Sequence, residues 1–105
     1  MNVGIDIENI ERFRFKKSDY FLRTIFSKAE INNSFLDKSP KTKLCEIFCI
    51  KEAFIKTLKN QKILLRNMEV NFLEGRINIL KNRKKVSAKV NIRNKKGCII
   101  ASVIK

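Results

Sequence analysis

The chain of 105 residues contains no histidine and no tryptophan, and it has one proline, three glycines and three cysteines. Without histidine it can form neither a histidine-dependent zinc site nor a Ser–His or Cys–His catalytic pair. No apolar run approaches the roughly 18 residues of a transmembrane helix, so we expect no membrane-spanning helix. The N-terminal segment carries acidic residues where a signal peptide has a basic region, and the expected location is therefore cytoplasmic.

The three cysteines lack the spacing of a disulfide framework. Cys45 and Cys49 are one helical turn apart and could together bind a metal, whereas Cys98 is remote in the sequence. Buried thiols are far more common than metal sites in a reducing compartment. We therefore expect structural cysteines.

Acidic residues are also scarce, because 24 Lys and Arg stand against 10 Asp and Glu and give a net charge of +14. This charge predicts an acidic partner, such as nucleic acid, an anionic membrane, a phosphate-rich cofactor or an acidic protein. Three of the acids, Asp6, Glu8 and Glu11, lie in the first eleven residues. Carboxylates clustered in so basic a chain repel one another, and a divalent cation would relieve that repulsion.

The hydrophobic pattern indicates a single α+β domain over residues 1–105, in which a strand is followed by helices and then by antiparallel strands. Alternation at 2–7 predicts a strand with Asp6 on the face opposite the isoleucines. Ser27 and Glu30 form a capping box at the start of a helix. We predict helices at 18–26, 28–36 and 42–60, a loop at 37–41, and strands at 68–73, 77–80, 84–93 and 98–104.

The predicted helix at 42–60 is the longest, and it carries an apolar stripe at helical spacing. On the neighbouring stripe, Cys45, Cys49, Glu52 and Lys56 follow one another at steps of three and four residues. A carboxylate and an ammonium group are thereby placed one turn apart on the same side of this helix.

Two segments together resemble the small holo-acyl-carrier-protein synthases, which are phosphopantetheinyl transferases. They are 4–13 (GIDIENIERF) and 48–58 (FCIKEAFIKTL). Residues 26–30 (FSKAE) resemble the short element that this family places between them, and 68–72 and 100–104 are similar to its later strands. The resemblance spans nearly the whole chain, in the right order and spacing. It implies the 4′-phosphopantetheinyl transferase fold, with an N-terminal strand, helices that include one long helix, and then antiparallel strands.

The resemblance implies transfer of 4′-phosphopantetheine from coenzyme A to a serine of an acyl carrier protein, with Mg²⁺ as cofactor and adenosine 3′,5′-bisphosphate as leaving group. Such a reaction needs a metal to hold pyrophosphate oxygens and cations to bind the departing phosphates. By their match to the family, Asp6 and Glu52 would be the catalytic residues and the Mg²⁺ ligands. Glu8 lies beside them. Either Glu52 or a water molecule would accept the serine proton.

The family's other contacts fall on basic residues. Lys51 and Lys56 match positions that contact the phosphates of coenzyme A. Arg12 matches a position that contacts the carrier protein, and Arg14 extends the same basic patch. Arginine suits that role because it binds carboxylates bidentately. The family is typically trimeric, with active sites between subunits, which leads us to expect a homotrimer.

The chain departs from the family at three places. Ile47 stands where the family's long helix usually carries an arginine, and the stretch 59–67 lacks the usual glycines. Asn94 replaces a histidine of the late strand, and Arg93 or an adjacent lysine could replace its phosphate contact.

Simpler interpretations exist for each residue. Alone, Asp6 could be a turn or helix cap, and Glu52 could form only an i,i+4 ion pair with Lys56. A small nucleic-acid-binding protein would also be basic, with the aromatic residues between 13 and 21 as stacking platforms. No nucleic-acid-binding motif appears, however. A third alternative is a non-catalytic protein that binds the carrier protein. The joint match at both segments favours coenzyme A and carrier protein as partners, rather than nucleic acid or a membrane.

Overall fold

In the computed structural model, which describes residues 1–59 and 62–105, the chain forms two antiparallel sheets and three helices. The predicted α+β class is confirmed. The order of strands is β1-β6-β5 in the first sheet and β2-β3-β4 in the second. The elements are β1 (Val3–Asn9), α1 (Leu22–Ile25), α2 (Lys28–Phe35), α3 (Pro40–Ile55), β2 (Met68–Leu73), β3 (Arg76–Lys81), β4 (Lys84–Lys85), β5 (Lys89–Lys95) and β6 (Cys98–Ile104).

The helices differ from their predicted bounds at their ends. Helix α1 is a single turn, whereas the capping box of Ser27 and Glu30 starts α2 as predicted. Helix α3 begins at Pro40, inside the predicted loop, because proline at the first helical position loses only an N–H that would be unpaired there. It ends at Ile55, and its predicted end at Asn60 lies outside the described residues.

The single strand predicted at 84–93 is wrong. Lys84–Lys85 pairs with β3, whereas Lys89–Lys95 pairs with β6 in the other sheet. The Val86 N–H still donates to Ile79 O at 2.8 Å, and the chain then crosses between the sheets. Alternation of apolar residues is the same on both sides of this crossing, so periodicity alone does not reveal it.

Helix α3 lies against the inner face of the first sheet, and its other side packs on α2 and β2. Gly4 lets β1 approach α3 closely, because a Cβ at this position would stand 1.8 Å from Ala53 O. Only glycine therefore fits at this crossing. The strand that carries Asp6 is thus held directly against the helix that carries Glu52.

The first sheet buries an unusual face of β1. Asp6 is opposite Ala101 of β6, which is fully buried, so the carboxyl group points toward α3. The apolar residues of the strand lie on the opposite, outer face, where Val3, Ile5 and Ile7 are 53%, 54% and 59% exposed. Asp6 therefore lies opposite the isoleucines, as the alternation predicts. No helix among residues 1–59 and 62–105 is both long enough and apolar enough to cross a bilayer.

Candidate active site

Three carboxyl groups face one another where β1 crosses α3. Asp6 and Glu8 are two residues apart on the inner face of β1, and Glu52 lies on the last full turn of α3. The strand period of two places the first pair on the same side, and the close approach at Gly4 brings the helix to them. We call Asp6, Glu8 and Glu52 the acid cluster.

Repulsion within the acid cluster is visible in its pKa values. The pKa of Glu8 is raised to about 7, first by burial, then by the adjacent Asp6 carboxylate and less by the Glu52 charge, while the Arg12 charge lowers it. The pKa of Glu52 is also raised, by burial and by the Asp6 charge, and the Lys56 ammonium opposes this. These carboxyl groups hold their negative charges at a cost that a cation would remove.

Asp6 has only one of its carboxylate oxygens partnered. Its Oδ1 lies 3.2 Å from Lys56 Nζ, which also donates to Ile5 O at 2.7 Å. Its Oδ2 is buried and accepts no hydrogen bond from the described residues. An unsatisfied buried carboxylate oxygen is costly, and a bound cation is one way to satisfy it.

The donor set fits Mg²⁺ better than a metal that needs a complete protein cage. Within residues 1–59 and 62–105, no three His, Cys, Asp or Glu side chains are arranged to hold an ion by themselves. Mg²⁺ is usually bound by one or two carboxylates, with waters and substrate phosphates completing its shell. The orphaned Asp6 oxygen and the neighbouring Glu52 carboxylate suit that mode of binding.

The structure places Lys51 away from the acid cluster, in the core. Its side chain is fully buried, and its ammonium donates to Ile25 O at 2.8 Å, Glu30 Oε1 at 2.6 Å and Leu65 O at 2.8 Å. All three N–H bonds are therefore used inside the protein. The prediction that Lys51 contacts coenzyme A does not fit this position, because helix geometry turns neighbouring residues about 100° apart.

Glu30, which the sequence marks only as part of the α2 capping box, is the partner of Lys51 in the core. Its Oε1 accepts from Ser27 N at 2.8 Å as well as from Lys51, and its Oε2 accepts from Val70 N at 2.6 Å. Burial raises the pKa of Glu30 and lowers that of Lys51, and the charge of each residue opposes the shift of the other. The capping box was the only sequence signal for this residue, since its bonds to Lys51 and Val70 depend on tertiary contacts.

The predicted arginines lie at different distances from the acid cluster. Arg12 is exposed on the 3₁₀ turn after β1, near enough for its charge to lower the pKa of Glu8. Arg14 forms an ion pair with Glu11, which also pairs with Lys41. Arg93 is opposite Ile100 of β6 and lies on the outer face of the sheet, so one chain does not bring it to Asp6.

The cysteines of α3 are structural, as expected. Cys49 Sγ lies 3.2 Å from Asp6 O and 3.4 Å from Ile99 O, and Cys45 Sγ lies 3.7 Å from Glu8 O. Burial raises the pKa of both thiols, that of Cys45 to about 12. They are therefore neutral thiols that pack α3 onto the sheet.

Comparison with known proteins agrees with the resemblance. The chain is 42% identical over 72 residues to a holo-[acyl-carrier-protein] synthase of Thermodesulfovibrio yellowstonii, an alignment that covers 65% of this chain and 64% of the relative, which is less than two thirds of its length. Its fold matches that of the holo-[acyl-carrier-protein] synthase of Neisseria meningitidis, with a TM-score of 0.80 at 19% identity, over 97% of this chain and 94% of the other.

A second structure with the same fold is that of a Bacillus anthracis holo-(acyl-carrier-protein) synthase in complex with CoA (3′,5′-ADP). It matches with a TM-score of 0.76 at 23% identity, over 97% of this chain and 92% of the other. The family model for the 4′-phosphopantetheinyl transferase superfamily matches residues 2–101. The chain therefore belongs to the 4′-phosphopantetheinyl transferase superfamily.

Proposed function

We propose that this chain is a holo-acyl-carrier-protein synthase. It transfers 4′-phosphopantetheine from coenzyme A to a serine hydroxyl of an apo acyl carrier protein, requires Mg²⁺ and releases adenosine 3′,5′-bisphosphate. The observation that carries the proposal is the acid cluster, in which the unpartnered Asp6 oxygen lies at the crossing of β1 and α3 in a chain of this superfamily.

Asp6 and Glu52 are the residues that would hold Mg²⁺. When bound, the ion would neutralise the charge that develops on the pyrophosphate oxygens as the bond to the leaving group breaks. Glu8, whose pKa is raised to about 7, adds a third carboxyl group beside these ligands, and its ionised form favours the doubly charged cation.

Lys56 is the cation available to the substrate. Its side chain is half exposed, in contrast to that of Lys51, and its ammonium already lies at the Asp6 carboxylate. From this position it would bind a phosphate oxygen at the edge of the acid cluster and help to orient the pyrophosphate.

The serine proton has two candidate acceptors, Glu52 and a water molecule. Burial and the Asp6 charge raise the pKa of Glu52 in the metal-free chain, which favours it as a base, whereas Mg²⁺ bound to the same carboxylate would lower that pKa and favour the water molecule. The ammonium group of Lys56 lowers the pKa of Glu52. When coenzyme A binds, this side chain would move toward the substrate phosphates.

The carrier protein would dock beside the acid cluster on Arg12 and Arg14. Both are exposed on the segment that follows β1, and Arg12 is near enough to Glu8 for its charge to lower the pKa of that residue. The net charge of +14 would favour encounter with an acidic carrier protein as well as with coenzyme A.

Trimeric assembly is part of this proposal. The outer face of the first sheet exposes Val3, Ile5 and Ile7 on an edge strand, where a monomer would leave an apolar stripe in water. Arg93 lies on the same outer face. Assembly through this face would bury the stripe and present Arg93 to another copy, where it could bind a phosphate of coenzyme A.

The test is the intact mass of an apo acyl carrier protein from the same source after incubation with this protein, coenzyme A and Mg²⁺. We expect a gain of one phosphopantetheine group, with adenosine 3′,5′-bisphosphate in the supernatant and no gain in the presence of a chelator. No gain with a folded enzyme would overturn the proposed reaction. A gain that survives the chelator would overturn only the role of Mg²⁺.

A further inference from the structure

A cationic cavity lies apart from the acid cluster. It has a volume of about 570 Å³, and its walls come from α1, the start of α2 and the 3₁₀ turn at Leu65–Asn67. A second cavity of about 430 Å³ adjoins it and shares Ser27, Arg66 and Asn67. Among the described residues, no member of the acid cluster lines either cavity.

The two cavities gather positive charge from separate parts of the chain. Five cationic side chains line the cavities, and within the described part of the chain none of them has an ion pair or a hydrogen bond. Glu69, the one carboxylate among the described residues that line the cavities, accepts a hydrogen bond from Ser27 Oγ at 2.7 Å. The cations are Lys17, Arg23, Lys28, Arg66 and Arg83.

Arg83 occupies a hairpin-turn position with positive φ, which the other two hairpin turns fill with glycine. Among residues 1–59 and 62–105, all three two-residue hairpin turns place both central residues at positive φ. The other two have glycine second, Gly75 at 74° and Gly97 at 81°, whereas the third has Arg83 at 68°. Glycine is the residue that such turns favour. The chain thus holds a guanidinium group at the second cavity despite a backbone that favours glycine.

We propose that these joined cavities are a binding site for a phosphate-bearing small anion, with Arg66 lining both cavities and Arg83 lining the second. Arginine forks bind phosphate oxygens bidentately, and the Asn67 amide is a neutral polar group on the shared wall. The volumes are those of pockets that hold small ligands. This site is separate from the one proposed for coenzyme A and does not depend on the transfer reaction.

The experiment is calorimetric titration of the full chain with inorganic pyrophosphate at about 0.15 M ionic strength. A chelator is present, so that no divalent cation bridges the anion to the acid cluster. The variants are Arg83→Gly and Arg66→Met. The matched control is Lys96→Gly, which removes the same charge and relaxes a positive φ of 52° at a turn that lines neither cavity.

We expect Arg83→Gly and Arg66→Met each to raise the Kd of pyrophosphate at least about tenfold, and Lys96→Gly to change it less than about twofold. Arg83→Gly should keep or raise the melting temperature, because glycine relaxes the turn, so that a loss of binding is not a loss of fold. A nucleoside diphosphate titrated in parallel identifies the source of the phosphate. Tighter binding than pyrophosphate assigns a nucleotide, and equal binding assigns the phosphates alone.

Two results would overturn the proposal. One is a wild-type protein that shows no saturable binding of either anion. The other is a loss of affinity in Lys96→Gly as large as in Arg83→Gly, because the binding would then follow net charge rather than this site.

Discussion

Neighbouring residues of α3 belong to two charged regions with opposite character. Lys51 forms a buried ion pair with Glu30 in which all three ammonium hydrogens and both carboxylate oxygens have partners. Glu52, one residue later, faces Asp6 and Glu8, where like charges repel and one Asp6 oxygen has no partner among the described residues. Charges that stabilise the fold are satisfied within it, whereas the acid cluster is incomplete without something from outside the chain.

The sharpest way to test this contrast is Asp6→Asn, which removes the charge but keeps the volume. We expect transfer to fall by about 1,000-fold or more, because several kcal/mol of charge stabilisation in the transition state would be lost. Stability should change by less than about 1 kcal/mol, because the repulsion that Asp6 exerts on Glu8 and Glu52 also disappears. Single-turnover transfer and urea unfolding measure the two effects.

Glu11→Gln is the matched control for Asp6→Asn. Glu11 is an acid of the same N-terminal segment, but its partners Arg14 and Lys41 are surface residues. It should keep most of the transfer activity. Loss of activity in both variants would mean that the net charge of the segment matters rather than the Asp6 carboxylate.

The opposite region gives the largest expected effect on stability. Lys51→Met leaves the Glu30 charge buried without its partner, and we expect a loss of about 3–5 kcal/mol in the free energy of unfolding. Glu30→Gln added to Lys51→Met should cost much less than the sum of the single changes, because no charge then remains in the core. Urea unfolding of both single variants and the double variant measures the coupling. Additive losses would contradict the ion-pair interpretation.

The sequence predicts one half of this contrast better than the other. The acid cluster follows from two short segments, because Asp6 and Glu52 each lie in a pattern that resembles the family's, and the strand and helix around them are periodic. The burial of Lys51 does not follow in the same way. Its partners at Ile25, Glu30 and Leu65 come from three other parts of the chain, and no local pattern distinguishes an internal ammonium group from one that binds phosphate.

The same limit applies to the fold. The antiparallel strands at 68–73 and 98–104 are predicted with their observed bounds because turns flank them and apolar residues mark them. The crossing between the two sheets after Lys85 leaves no trace in the alternation. The alternation in β1 does not predict which of its two faces is buried, because packing on α3 turns the polar side of that strand inward.

A third change separates the position of the acid cluster from its charge. Gly4→Ala would place a Cβ 1.8 Å from Ala53 O, so β1 and α3 must move apart. We expect a loss of about 1–3 kcal/mol in stability and a fall in transfer of at least about tenfold, because the displacement moves Asp6 relative to Glu52. Urea unfolding and single-turnover transfer are the measurements. Gly97→Ala is the control for the loss of a glycine: it has open space but a φ of 81°, so it should cost some stability through backbone strain and leave transfer unchanged.

The smallest expected effect lies at the border of the acid cluster, at Arg12. This residue is exposed, and its charge lowers the pKa of Glu8, so it could serve either the carrier protein or the acid cluster itself. If it docks the carrier protein, Arg12→Ala should raise the KM for that protein about tenfold, the order expected for one charge-assisted hydrogen bond. The KM for coenzyme A and kcat should then stay within about twofold. Lys38→Ala is the control for the loss of one exposed positive charge. A fall in kcat with an unchanged KM for the carrier protein would assign Arg12 to the acid cluster, because a residue that only docks a partner contributes equally before and during the reaction.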